Sequence, residues 1–198
     1  MKTLIVATRN RHKVREIGQI LGDQVRLHSL EDFPEIPEIS EEGMTFEANA
    51  IQKAVWVAAR LGLPVLADDS GLEVDALDGA PGVHSARFAG LHASSMENNA
   101  KLLRLMEGVP GEGRSARFRC VVALALADGK VETVQGVCEG AIAEGPRGPG
   151  GFGYDPLFIP RGHDRTFAEL DAEAKNRISH RGMALELARA LIQRSLDG

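Results

Sequence analysis

The sequence predicts an α/β fold with a mixed sheet, in one domain over residues 1–198 that allows two lobes. Three observations lead there. The continuous apolar run Leu4-Ile5-Val6-Ala7 is followed at once by a stretch of helical periodicity, the strand, loop, helix order of an α/β unit. The segments 116–127 and 131–137 are rich in β-formers and are separated by Ala127-Asp128-Gly129-Lys130, a hairpin signal. With 198 residues, 43% of them hydrophobic, the chain can bury one core, and no Ser/Pro/Gly-rich tract divides it into independent units.

Each element has its own signal. Leu4 to Ala7 suits a strand buried on both faces. Over Arg11 to Leu21, Val14, Ile17, Ile20 and Leu21 recur at helical spacing, and Gly22 is the stop. Val25 to Leu30 alternates like a second strand, and the Glu-rich stretch with Pro34 and Pro37 reads as an exposed loop. From Thr45 to Leu61, Phe46, Ala50, Ala54, Val57 and Leu61 form an apolar stripe, with Thr45, Asn49 and Lys53 as a polar stripe beside it. Pro64 to Ala67 is a further buried strand, expected to end at Asp68-Asp69-Ser70-Gly71. Ser94 to Met106 is helical in spacing, Gly145 to Gly153 is a Gly/Pro-rich loop, and Leu185, Ala188, Leu191 and Ile192 mark a final helix.

Composition narrows the functional classes. A net charge of −5 argues against non-specific binding to nucleic acid or to an anionic membrane, so an anionic ligand must be met by local cations. Cys120 and Cys138 lack CxxC or metal-ligand spacing and read as two reduced, partly buried thiols, which points to the cytoplasm. The N-terminal apolar run is too short for a signal sequence, and no stretch approaches the about 20 apolar residues of a spanning helix.

Thr8-Arg9-Asn10-Arg11-His12-Lys13 joins the first strand to the first helix, where α/β proteins commonly bind anions. Asn10 as a plain N-cap and Lys13 as a solvated side chain are the ordinary alternatives. Helix N-terminal N–H groups, together with Lys13, would suit a phosphate. GxxxxGK[ST] is absent, so this is no P-loop. Asp68 and Asp69 follow a buried strand, and neighbours on an extended backbone face opposite ways, so at most one should enter a shared site. Such a carboxylate can ligate Mg2+ or orient a water, or simply open a solvated turn. Glu41 and Glu42 could complement the following helix dipole or complete a metal site. Gly148-x-Gly150-x-x-Gly153 matches the dinucleotide fingerprint, but no strand directly precedes it and Pro156 and Pro160 oppose a helix after it. Phe152 in Gly151-Phe152-Gly153-Tyr154-Asp155-Pro156 could stack on a base and Asp155 accept a hydrogen bond from it, or the loop could serve as a packing anchor. Ser179-His180-Arg181-Gly182 offers donors for a purine carbonyl, or a Ser N-cap with a solvated His-Arg pair.

These motifs, in this order, resemble the inosine triphosphate pyrophosphatase family, whose members remove deaminated purine nucleotides. The marks are Thr8-x-Asn10-x-x-Lys13, Glu41 to Ala50, Ala67 to Leu72, Gly79-Ala80-Pro81-Gly82, Ser85-Ala86-Arg87, Gly151 to Pro156 and Ser179 to Gly182. Arg9 departs from the pattern, which usually has a small residue there. The resemblance implies a single elongated domain with a central, strongly twisted mixed sheet flanked by helices, two lobes with the active site between them, and a homodimer. It implies Mg2+-dependent hydrolysis of ITP, dITP and XTP to the monophosphate and pyrophosphate. On it, Asp69 is the general base and, with Glu41, a metal ligand, with Asp68 in support and Glu42 the alternative to Glu41. Thr8, Arg9, Asn10, Arg11, His12, Lys13, Ser70, Lys175 and the catalytic Lys53 hold the triphosphate. Phe152 stacks on the base, Gly153, Tyr154 and Asp155 line the nucleoside, and His180 and Arg181 read the 6-keto group. A pyrophosphatase acting on pyrimidine nucleotides and a catalytically silent nucleotide-binding module are the competing readings.

Overall fold

The computed structural model describes residues 2–22 and 25–197. Six strands form one sheet in the order β2-β1-β3-β4-β5-β6. They are β1 (Lys2–Val6), β2 (Val25–Ser29), β3 (Val65–Val74), β4 (Ser115–Ala125), β5 (Val131–Ile142) and β6 (Phe158–Pro160). The helices are α1 (Arg11–Leu21), α2 (Phe46–Leu61), α3 (Ser95–Leu105), α4 (Ala172–Ile178) and α5 (His180–Asp197). The sheet is mixed: β1 pairs in parallel with β2 (Leu4 opposite Leu27) and with β3 (Val6 opposite Leu66), whereas β5 and β6 are antiparallel (Ala141 opposite Ile159).

Local chemistry sets the helix ends. Asn10 caps α1 by accepting from the N–H groups of His12 and Lys13, Thr45 caps α2 through Ala48, and Ser94 closes a capping box with Glu97 on α3. Gly22 and Gly62 end α1 and α2 with positive φ, a region that glycine enters without penalty.

The chain divides into two compact units. The first comprises residues 1–69, 120–136 and 181–198, and the second 70–119 and 137–180. The core of the first packs Leu4, Val6 and Leu66 of the sheet with Ile17 of α1, Val122 of β4 and Leu185, Ala188 and Ile192 of α5. The core of the second gathers Leu72, Val74, Leu102, Met106, Phe118, Leu157, Phe158 and Phe167, with Phe118 against both Phe158 and Phe167 at centroid distances of 4.7 and 5.9 Å. Both cysteines are buried and free.

Two expectations need correction. β3 does not stop at Asp68 but runs on to Val74, because both carboxylates are neutralised by cations remote in sequence and can stay inside a strand. His180 and Arg181 do not precede the last helix but form its first turn, and Gly182 is helical. The short elements β6 and α4 carry no periodicity strong enough to read in advance.

Candidate functional site

The first group of residues lies where the strand order turns back on itself. β1 sits between β2 and β3, so the C-terminal ends of β1 and β3 border the topological switch point where open α/β sheets take ligands. Ala7 N–H still pairs with Leu66 O at 2.8 Å. Past that bond the two backbones carry, on one side, Thr8 to Lys13 and, on the other, Asp68 and Asp69. Thr8 Oγ1 accepts from Asn10 N–H at 3.1 Å, which folds the loop tightly into α1. Arg11 forms an exposed ion pair with Glu31, and His12 is exposed. Arg9 is turned elsewhere than the sequence suggested. Its guanidinium donates to Leu30 O at 2.6 Å and to Ile36 O, fastening the loop that leads to Glu41.

Asp68 and Asp69 divide their tasks as the pleat requires. The Asp68 side chain is wholly buried, and its Oδ2 receives Lys13 Nζ at 3.0 Å and Arg181 Nη2 and Nε at 3.0 and 3.3 Å. Burial alone would raise this carboxyl; Lys13, then Arg181 and Lys53, overcome it and hold the group far below the ordinary carboxylate range. Arg181 also bonds Glu16 at 2.5 Å and is itself 1% exposed. Its guanidinium is therefore bound to carboxylates, not turned out as a solvated pair.

Asp69 heads a second cluster. Lys53, from the last position of the polar stripe on α2, places Nζ 2.5 Å from Glu41 Oε1, 2.9 Å from Asp68 O and 3.5 Å from Asp69 Oδ1. Burial works against the Lys53 charge, but Asp69, then Glu41 and Asp68, keep its pKa above the ordinary lysine value. Burial likewise raises the Asp69 carboxyl, with Glu41 adding to the rise and Lys53 opposing it. An elevated carboxylate at the end of a polar cluster suits a general base. Glu42 instead bonds Ser40 in an exposed position, which favours Glu41 as the second acidic member.

Two hard oxygen donors, Glu41 and Asp69, thus converge on a single positive charge. This donor set fits Mg2+, which is typically held by one or two carboxylates and completes its octahedron with water and substrate phosphate. Among the described residues no set of three His, Cys, Asp or Glu side chains converges into an all-protein cage.

The second unit carries the other group. Phe152 N–H donates to Asp155 Oδ2 at 2.8 Å, and the same oxygen takes Lys175 Nζ at 2.6 Å. The ammonium lies 5.0 Å from the centre of the half-buried Phe152 ring. Asp155 therefore holds the Gly151-Phe152 turn from within, being 2% exposed, and Lys175 is buried on it. A Cβ on Gly151, at φ 70°, would overlap the same Asp155 oxygen, which explains glycine there. Gly153 O accepts from Asn99, and Tyr154 OH donates to Ser85 O at 2.9 Å. His180 stacks on Phe118 with ring centres 4.6 Å apart and planes within 10°. Ser70 follows Asp69 along β3 and is half-buried.

A Ham1 family model matches residues 4–191. The chain belongs to the Ham1 family. The resemblance drawn from the ordered motifs is thereby borne out. Among its relatives, the dITP/XTP pyrophosphatase of Geobacter sulfurreducens is 57% identical over 188 residues, covering 94% of each chain. That of Geobacillus kaustophilus is 51% identical over 186 residues, 93% of this chain and 91% of its own. A HAM1 protein from Coxiella burnetii has the same fold, with a TM-score of 0.88 at 44% identity over 98% of this chain and all of its own. The Staphylococcus aureus Ham1 protein gives 0.86 at 38% identity, over 97% and 98%. The α/β fold with its mixed sheet is that of the Ham1 structures.

Within the Ham1 chain the structure pairs Lys13 with Asp68 and Lys53 with Glu41 and Asp69, partnerships that sequence spacing alone does not give, and three further residues support functional groups without a role legible in the sequence. Glu16 lies one turn beyond Lys13 on α1 and anchors Arg181; the i, i+3 spacing was the available signal. Asn49 stood on the polar stripe without a role. Phe118 is one residue of the β-rich stretch 116–127, and only the fold brings His180 onto it.

Proposed function

We propose that the chain hydrolyses non-standard purine nucleoside triphosphates, ITP, dITP and XTP, to the monophosphate and pyrophosphate. The observation that carries this reading is the convergence of Glu41 and Asp69 on Lys53, beside Lys13, in a Ham1 chain. When bound, Mg2+ supplies a polarised water and a clamp for phosphate charge. Asp69 accepts the proton of the water that attacks the α-phosphorus, a part suited to its raised pKa. Lys53 and Lys13 offset the charge that develops as the bond to the pyrophosphate breaks, aided by the positive end of α1 and the loop Thr8 to His12. Arg9 serves there by fixing the loop before Glu41. Ser70 completes the phosphate contacts.

Phe152 stacks on the base, with Gly153, Tyr154 and Asp155 shaping the nucleoside pocket and Lys175 held against both Phe152 and Asp155. His180 donates to the 6-keto oxygen. Arg181 supports that reading by tying the first turn of α5 to Asp68 and Glu16. A donor built for a keto oxygen is left unpaired against a 6-amino group, which can cost about 10⁴-fold.

Residues 1–198 act in this reading as one pyrophosphatase domain, supported by an unbroken family match from 4 to 191. In this reading, as the family resemblance implies, the chain works as a cytoplasmic homodimer. No helix among the described residues is long and apolar enough to cross a membrane. A panel of ITP, dITP, XTP, ATP, GTP, UTP and dTTP, with and without Mg2+, tests the proposal. Pyrophosphate release from ITP, dITP and XTP only with the metal is expected. Orthophosphate release, or faster turnover of UTP and dTTP, would overturn it.

A further inference from the structure

The geometry points to Asn49 as the positioning residue that locks Asp69 to the Glu41 loop. The side chain is 0% exposed at the close of the first turn of α2, next to Lys53 on the same face. Its Nδ2 donates to Asp69 Oδ2 at 3.0 Å and its Oδ1 accepts from Gly43 N–H at 2.7 Å. Gly43 lies two residues beyond Glu41, and Glu41 returns to Asp69 through the Lys53 ammonium. The five residues close a ring of contacts: Glu41, Gly43, Asn49, Asp69, Lys53.

Only an amide of this length satisfies both ends of the bridge, because one end must donate to a carboxylate and the other accept from a backbone N–H. Aspartate would set a second carboxylate against Asp69, and an apolar residue would leave both buried partners unsatisfied. The approach is so close that a Cβ on Gly43 would lie 2.5 Å from Asn49 Oδ1. Glycine at 43 and asparagine at 49 therefore form one device. With Oδ2 taken by Asn49, the other Asp69 oxygen is the one turned to Lys53 and Glu41, the side on which water and cation are to be handled. Asn49 does not touch the reacting atoms; it acts through Asp69 and through the loop that carries Glu41.

This inference rests on the roles proposed for Asp69 and Glu41, so Asp69→Asn is measured alongside. Asn49→Ala, Asn49→Ser, Gly43→Ala and Gly43→Ala/Asn49→Ala are compared with the parent for kcat, KM for ITP, half-saturating Mg2+ and the Mg2+-induced rise in melting temperature. Asn49→Ala should lower kcat by about 10- to 100-fold, the effect of losing a hydrogen bond to a charged group, while KM for ITP moves less than about 3-fold. The Mg2+ needed for half-maximal activity and for half the thermal shift should rise together. Gly43→Ala should reproduce these changes, and the double variant should be no worse than Asn49→Ala alone, since both disturb one contact. If Asn49→Ala does not fold, Gly43→Ala and Asn49→Ser decide the matter with the same readouts. Folded variants that keep kcat and the Mg2+ midpoints within 2-fold, or Gly43 and Asn49 effects that multiply independently, would overturn the inference. An active Asp69→Asn would instead sink the reading beneath it.

Discussion

Replacing Asp68 by asparagine keeps the shape of the side chain and removes the charge at the centre of the buried ion cluster. The Asp68 and Arg181 side chains are 0% and 2% exposed, and Lys13 is 16% exposed. Three donor contacts at 3.0 to 3.3 Å fall on Asp68 Oδ2. The substitution leaves a buried guanidinium that keeps its bond to Glu16 but loses the Asp68 charge. Removing one partner of a buried pair costs about 3–5 kcal/mol. Glu16 stays in place and Lys13 can turn toward water, so the lower end, about 3 kcal/mol, applies. In a chain of 198 residues this corresponds to a fall of about 6–12 °C in melting temperature. Calorimetric melts of the parent, Asp68→Asn, Arg181→Met and the double variant, without nucleotide and in one buffer, measure it. The double variant should lose less than the sum of the singles by about 1–3 kcal/mol, since each single leaves the other's charge exposed to the same penalty. A single variant melting within about 1 °C of the parent, or singles that simply add, would refute the coupling.

Other outcomes follow from the same contacts. Arg9→Lys replaces a fork on two carbonyls by a compact head, so the melting temperature should fall by about 2–4 °C with KM for ITP within 2-fold; a large KM rise would return Arg9 to the phosphates. Gly151→Ala strains a positive φ and overlaps the Asp155 oxygen that holds Phe152 and Lys175, so steady-state kinetics should show KM for ITP raised by about 10-fold or more with kcat changed far less. Burial, helped by Asp68, pushes the Cys120 thiol up to about 12. Its folded pKa exceeds the unfolded value, so the unfolded chain loses the proton first and stability falls as pH rises from about 8.5 toward 12. The stability difference between the parent and Cys120→Ala should shift by about 2 kcal/mol against the parent between pH 8 and pH 10.

The parts of the fold legible in the sequence were those with local causes. α1, α2 and α3 were placed to within a residue or so because Asn10, Thr45, Ser94, Gly22 and Gly62 mark their ends by short-range hydrogen bonding and backbone preference. β3 was cut short because adjacent aspartates look like a solvated turn until Lys13, Lys53 and Arg181 are known to meet them, and Arg181 lies 113 positions away. The site was legible as a set of residue types but not as a set of partners. Lys13 and Lys53 looked alike as phosphate cations, yet one rests on Asp68 and the other joins Glu41 to Asp69. Lys175 and Asp155 looked like two separate ligand contacts, and they form one buried pair under Phe152. Asn49 shows the limit most clearly, since its periodicity puts it on the polar face of α2 while its two hydrogen bonds, to Gly43 and Asp69, come only from the fold.

In the proposed reaction Asp69 removes the proton of the attacking water while its neighbours hold the nucleotide. Asp69→Asn keeps the size of the side chain and loses the base. Measured side by side for Mg2+-dependent pyrophosphate release from ITP and for ITP affinity by calorimetry, the variant should lose turnover by about 10³-fold or more and bind ITP within about 10-fold of the parent. Turnover at the parent rate in that variant would contradict the account.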